Sequence, residues 1–409
     1  MIHLLMDESK NIDITVNKEK VGELFFNSLD STYGFNYTSN IAPISLIMPY
    51  RKNTYFRKNR LHPIFEMNMP EGFLYELFKN RLSKEHGYIN DFLVLTYLGP
   101  NIDGRIGYIS SLNRSEINGI DIEDVIHNDT KDTFSMLLNT FLKLNAISGV
   151  QPKTLALLNN KTSFTTKEYI VKTWGEEFPN LAENEYFCLK AVEKTGVKIP
   201  NIILSYNKNF LLVERFNYDF ENNTFLGFEE ILGLLGKNSD GKYSGSYEQV
   251  AKVVYSVTTN KNSSMRDLFK IIVMNYLLKN GDAHLKNFGI VYNTDFTVIE
   301  LAPAYDIVNT TAYIFKDRPA LTLFGNKLWS GKKDLIKFAM QSCYLTKNDA
   351  DKIYNNCLHI LKETVTEIEE YIKNNPTFET IGYRMIDSFK TSLTLETIKE
   401  MPDEIIRNW

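Results

Sequence analysis

Residues 280–287 read Asn-Gly-Asp-Ala-His-Leu-Lys-Asn, and the types and spacing of their polar side chains suit phosphoryl transfer. An Asp with an Asn five positions later, here Asp282 and Asn287, is the spacing of phosphotransferase catalytic loops. In that chemistry the Asp orients the attacking hydroxyl and accepts its proton. The Asn holds Mg2+ through its carbonyl oxygen, a hard ligand for a hard cation. A lysine between them, Lys286, neutralises the moving phosphoryl group. A second carboxylate must then reach the cation, and Asp306 supplies it after the strand-like run at 296–301. Either Asp alone fits a helix cap or a surface ion pair. Their order and setting together point to catalysis.

Upstream, the chemistry needs a lysine for the nucleotide phosphates. Lys172 lies in Tyr-Ile-Val-Lys-Thr-Trp, among apolar neighbours, where an unpaired ammonium is costly. Glu185, on the next helical pattern, is its expected partner, as in kinases that pair a strand lysine with a helix glutamate. A lysine on a wet strand face is the alternative. The segment 145–153 has one glycine, so it is neither a Walker A motif nor a Gly-x-Gly-x-x-Gly loop. Its place before the first strand of the expected nucleotide lobe makes it a candidate phosphate-covering loop, with backbone N–H groups and Lys153 as donors.

These residues need elements to hold them. Residues 1–110 read as strand-rich with turns, including expected strands at 44–48 and 92–98. A helical period covers 132–145. Strand, strand, helix, strand, strand then occupies about 154–216, its helix stopping at Gly196, where a left-handed cap fits. From about 225 the helical period dominates. Ser264 with Asp267, and Thr346 with Asp349, read as helix starts. The expected architecture is α+β and two-lobed. A β-rich N-terminal lobe carries an extra N-terminal subdomain, and the C-terminal lobe is mainly helical. The expected units are 1–125, 126–217 and 218–409.

Composition narrows the function classes. The 409 residues are 43% hydrophobic and 23% charged, which suits a folded globular chain. A formal net charge of −4 gives no reason to expect nucleic acid as the main ligand. The basic run 51–60, with Tyr55 and Phe56 inside it, is either a weak nucleic-acid or acidic-partner contact or a solvated loop. Three cysteines and six histidines fall at no metal-ligand spacing. No basic stretch precedes a long apolar run, and no apolar run approaches a membrane span, so a cytoplasmic protein is expected.

The segments together resemble the HipA family of bacterial toxin kinases over most of the chain. Ile147 to Thr154 resembles that family's ATP loop, Ile170-Val-Lys172 and Glu183-Asn-Glu-Tyr186 its lysine strand and following helix, and Val213-Glu-Arg-Phe216 its hinge. The runs 242–247 and 66–72 are similar to stretches before its long helix and in its N-terminal subdomain. The runs 280–288 and 301–306 resemble its catalytic and metal loops, and these two are the most specific.

The resemblance implies a serine/threonine-protein kinase with ATP and Mg2+ as cofactors. Asp282 would be the base, and Asn287 and Asp306 the metal ligands. Ser148, Gly149, Val150, Gln151, Pro152, Lys153, Lys172, Glu214, Arg215, Phe216, His284, Lys286 and Tyr305 would surround ATP. It further implies an aminoacyl-tRNA synthetase as protein substrate, a small helix-turn-helix antitoxin as partner, and DNA reached through that antitoxin. Autophosphorylation of the ATP loop would fall on Ser148, since the family's other position is Ala146 here. A phosphate there adds about −1.5 to −2 charge beside the ATP phosphates, which favours loop ejection. Asn217 stands where an Asp commonly follows the hinge Phe, a neutral partner for a ribose hydroxyl. Two competing readings are a small-molecule kinase and a non-catalytic subunit of an antitoxin–DNA repressor complex. His284 two residues after Asp282, rather than before it, weighs against the first. Retention of Lys172, Asp282, Asn287 and Asp306 weighs against the second.

Overall fold

A computed structural model describes residues 11–112, 121–144, 162–165, 169–173, 175 and 177–400. Its first body is an antiparallel five-stranded sheet, ordered Tyr55–Lys58, Thr32–Tyr37, Glu19–Asn27, Ile12–Val16, Ile106–Ile109. Period-two alternation builds it: Ile12, Ile14 and Val16 point inward and are buried, as are Leu24 and Phe35. The first hairpin closes through Asn17 and Lys18, both left-handed at φ 50° and 72°, the conformation a two-residue turn with the right twist requires. Helices Gly72–His86 and Asp91–Leu98 complete this body.

The run 92–98 is therefore helix, where a strand was expected. A uniformly apolar run carries no period to decide the matter. The Asn90 side chain accepting from the Leu93 amide at 2.9 Å starts a helix there. The other expected strand, 44–48, is reduced to a single bridge between Ser45 and Met48.

The second sheet is antiparallel in the order Thr162–Thr165, Tyr169–Thr173, Phe210–Glu214, Ile202–Leu204. Helix Leu181–Lys194 connects its second strand to its third in sequence and is followed by Gly196 at φ 80°. Val171, Phe210 and Leu212 from this sheet belong to the same apolar core as the first body. The first body thus packs on one face of the second sheet, which leaves the opposite face to line a cleft.

Beyond residue 225 the chain is mainly helical. Lys261–Leu277, Lys347–Asn374 and Glu379–Glu400 pack with helix Leu181–Lys194 around a second core that includes Phe269, Phe338, Phe378 and Phe389. Thr346 caps Lys347–Asn374 as expected, its hydroxyl accepting from the Asp349 amide at 3.1 Å. Ser264 starts nothing. It is buried inside the helix that Asn260 caps through the Ser263 amide. A three-stranded sheet, Gly227–Glu230, Gly289–Tyr292 and Ile299–Leu301, sits at the lobe junction.

Glu229 on that sheet ties the first body to the helical lobe. Its carboxylate accepts from the Ser45 hydroxyl (2.6 Å), the Leu46 amide (2.7 Å) and the Tyr292 hydroxyl (2.8 Å). Burial pushes its carboxyl up, and these bonds pull it back. The three cysteines are buried and unbridged, and burial pushes their thiols up, Cys357 to about 12. No helix among the described residues is long and apolar enough to cross a membrane.

Candidate active site

Alternation along Tyr169–Thr173 sends Val171 into the shared core and turns Lys172 to the opposite face. There the Lys172 ammonium pairs with Glu185, whose side chain is fully buried on helix Leu181–Lys194. The same ammonium donates to Asp306 Oδ1 at 2.8 Å. Asp306 follows the strand Ile299–Leu301 in a left-handed turn at φ 58°, a conformation Asp tolerates better than most residues. Its Oδ2 accepts from Asn287 Nδ2 at 2.7 Å. Lys172, Glu185, Asp306 and Asn287 therefore form one continuous cluster.

The Asn287 amide is turned differently from the sequence expectation. Its carbonyl Oδ1 accepts the His284 backbone N–H at 2.9 Å, and its NH2 faces Asp306. Carbonyl ligation of a cation would require that amide to turn over. The donor set still fits Mg2+, which typically takes one or two protein oxygens and completes its shell with phosphates and water. Among the described residues no group of three or more His, Cys, Asp or Glu forms an all-protein cage.

The loop that carries Asp282 is fixed from beneath. Buried Asn280 bonds Asn275 Oδ1 at 2.8 Å and accepts the Asp282 amide at 3.2 Å. The Gly281 amide donates to the Thr310 hydroxyl at 2.8 Å, and a Cβ at Gly281 would collide with the Asp317 carboxylate. The Asp282 side chain is 44% exposed and points into the open end of the cleft. Its Oδ1 accepts from the Tyr243 hydroxyl at 2.9 Å and lies 3.9 Å from His284 Nε2.

Lys286 is buried beside it. Its ammonium pairs with Glu71 of the first body and lies 3.6 Å from Glu230. Burial pushes this lysine down to about 8, against the pull of the Glu66 and Asp306 charges. The Lys286 carbonyl accepts the Tyr305 hydroxyl at 2.7 Å, and the Tyr305 ring stacks on Phe216 with centroids 5.5 Å apart.

One cavity of about 720 Å3 joins these parts, lined by Lys172, Glu214, Arg215, Phe216, Asp282, His284, Lys286, Asn287, Tyr305 and Asp306. Glu185 stands behind this wall and acts through Lys172. The hinge is braced by the first body, with Arg215 donating to the Asp103 carbonyl at 2.8 Å. Burial pushes Arg215 down to about 10. Residues 148–153, the expected phosphate-covering loop with Ser148, lie outside the described residues.

Sequence reasoning gave no role to Glu71 or Tyr243, although both line or touch the site. No spacing in the chain ties them to the loop at 282–287, and only tertiary packing does. The basic run 51–60 stays mostly exposed, and its three arginines are engaged within the fold. Arg51 stacks 3.4 Å from the Tyr55 ring centroid, Arg57 donates to the Gly236 carbonyl at 2.9 Å, and Arg60 pairs with Asp240 at 2.7 Å.

The model of the HipA-like C-terminal domain matches residues 145–368, and that of the HipA N-terminal domain matches 12–109. Two curated relatives are named "Putative kinase" and "Putative kinase Y4dM". One, from Haemophilus influenzae, is 31% identical over 41% of this chain and 53% of its own length. One from Sinorhizobium fredii is 24% identical over 62% of this chain and 63% of its own length. The matches thus span between half and two-thirds of these relatives. Among solved structures, the Shewanella oneidensis HipA, in complex with HipB and its operator DNA, superposes with a TM-score of 0.71. It covers 96% of this chain and 100% of its own at 16% identity, a likeness of fold.

Proposed function

The chain belongs to the HipA family, and from that premise we propose that it is an ATP-dependent protein kinase that phosphorylates serine or threonine. The observation that carries this reading is the Lys172–Glu185–Asp306–Asn287 cluster facing an accessible Asp282 across one cavity.

In the proposed reaction Lys172, held by Glu185, binds the nucleotide phosphates. Phe216 and Tyr305 offer an aromatic wall for the base. Asn287 and Asp306 would hold Mg2+, which supplies charge neutralisation for the phosphates when bound. Asp282 accepts the proton of the acceptor hydroxyl as its oxygen bonds the γ-phosphorus. The bond from that phosphorus to the β–γ bridging oxygen breaks, and ADP leaves. Lys286 steadies the charge on the transferring group, and the buried setting strengthens that effect.

Ser148 is the proposed site of autophosphorylation, and an aminoacyl-tRNA synthetase is the proposed target. A small DNA-binding antitoxin is the proposed partner, in keeping with the HipB that accompanies the Shewanella HipA. The proposed setting is the cytoplasm. Incubation with γ-labelled ATP and Mg2+, alone and in a cell lysate, beside Asp282→Ala, tests the reading. Label on the protein and on a lysate band, both absent with Asp282→Ala, is the expected result. No transfer from freshly made protein would overturn it.

A further inference from the structure

The catalytic carboxylate of this site has an unusual attendant. Asp282 is 44% exposed, and a wet carboxylate on a loop rotates freely unless something holds it. Asn287 does not hold it, because both ends of that amide are engaged by Asp306 and by the His284 N–H. The one hydrogen bond to the Asp282 carboxylate among the described residues comes from the Tyr243 hydroxyl, to Oδ1 at 2.9 Å.

Tyr243 is itself fixed. It lies on a strap, residues 242–246, tied on both flanks. On one side the Leu285 amide of the catalytic loop donates to the Lys242 carbonyl at 3.1 Å. On the other, Lys327 donates to the Tyr243 carbonyl and the Thr322 amide to the Gly245 carbonyl, each at 3.1 Å. The strap ends in a capping box, Ser246 with Gln249, that starts helix Tyr247–Val257. The Tyr243 ring stands edge-on to His284, centroids 5.2 Å apart. The residue is 45% exposed, so the backbone ties and the ring contact with His284 are what hold it in place.

Resting on the kinase reading above, we infer that Tyr243 is the positioning residue for Asp282: its hydroxyl holds Oδ1 and so turns Oδ2 to the acceptor hydroxyl. Proton transfer demands this kind of alignment, since a misplacement of about 1 Å can cost on the order of a hundredfold in rate. Tyr243→Phe removes the hydroxyl and keeps the ring against His284.

The test measures label transfer from γ-labelled ATP into lysate protein by wild type and Tyr243→Phe, varying ATP and lysate separately, with melting temperatures recorded. The rate at saturation should fall about tenfold or more, as loss of a hydrogen bond to a charged group implies. The half-saturating ATP and lysate concentrations should stay within about twofold, and melting should not move. An unchanged rate overturns the inference, as does a lower half-saturating lysate concentration, which would make Tyr243 a placeholder in the acceptor's seat. A fall in melting temperature that accounts for the lost rate overturns it too, in favour of a structural role. If wild type transfers nothing, the kinase reading has failed, which is a different result from a wild type and a Tyr243→Phe that transfer equally.

Discussion

Lys172 and Lys286 line the same cavity with side chains 10% and 9% exposed, yet they are held in different ways. Lys172 pairs with a glutamate that is fully buried and with Asp306, inside one lobe junction. Lys286 pairs with Glu71, which is half exposed and comes from the first body. The first end of the cleft is closed on itself: one ammonium serves two carboxylates there, and the cluster stands assembled. The second end is open, with Asp282 wet and its neighbours drawn from three separate stretches of chain. Nucleotide phosphates need a fixed, desolvated cradle, whereas an acceptor protein needs room to enter.

Lys172→Met puts the sharpest strain on this contrast. It strands Glu185 as an unpaired buried carboxylate, which typically costs about 3–5 kcal/mol. Thermal unfolding should show a large fall in melting temperature, along with lost nucleotide binding. A protein as stable as wild type would mean the closed end is not held by its charges.

The pH dependence of stability comes next in size, and it acts through the first body that builds the open end. His62 is buried there, and burial, with the charges of Arg57 and Arg51, pushes its imidazole down to about 4. Between the ordinary value of about 6.5 and about 4, the unfolded chain takes up a proton that the folded chain refuses. Stability therefore falls as pH drops through that window, by roughly 2–3 kcal/mol at its lower edge. Denaturant titrations at pH 7 and pH 4.5 should show a smaller acid loss in His62→Gln than in wild type. Equal losses would assign the acid sensitivity elsewhere.

Glu71→Ala should do least to the fold. Glu230 at 3.6 Å still attends the buried Lys286 ammonium once Glu71 is gone, so melting should fall less than in Lys172→Met and nucleotide binding should persist, while transfer falls a few-fold. If Glu71→Ala melts as badly as Lys172→Met, the two ends are not different in kind.

The parts of the site that were legible in the sequence are those whose residues are neighbours in sequence or lie on consecutive elements. The loop at 280–287 carries its own spacing. Lys172 and Glu185 are one strand and one helix apart, so their pairing follows from local pattern. The Asn287 amide orientation was not legible, because the His284 N–H competes for its carbonyl. Tyr243 and Glu71 reach the site through packing between distant segments, which no periodicity encodes. The helix at 91–98 was missed for another reason: six apolar residues at 92–98, broken only by a threonine, offer no period, and a single asparagine cap decides.

The central claim is that one end of the cavity holds the nucleotide and the other performs the transfer. Measuring Mg2+–ATP affinity and γ-phosphate transfer side by side in wild type, Asp282→Asn and Asp306→Asn tests it most directly. Asp282→Asn should bind Mg2+–ATP within about twofold of wild type and transfer at least about a thousandfold more slowly. Asp306→Asn should lose the Mg2+-dependent part of ATP binding. Transfer by Asp282→Asn at a rate near that of wild type would contradict the account.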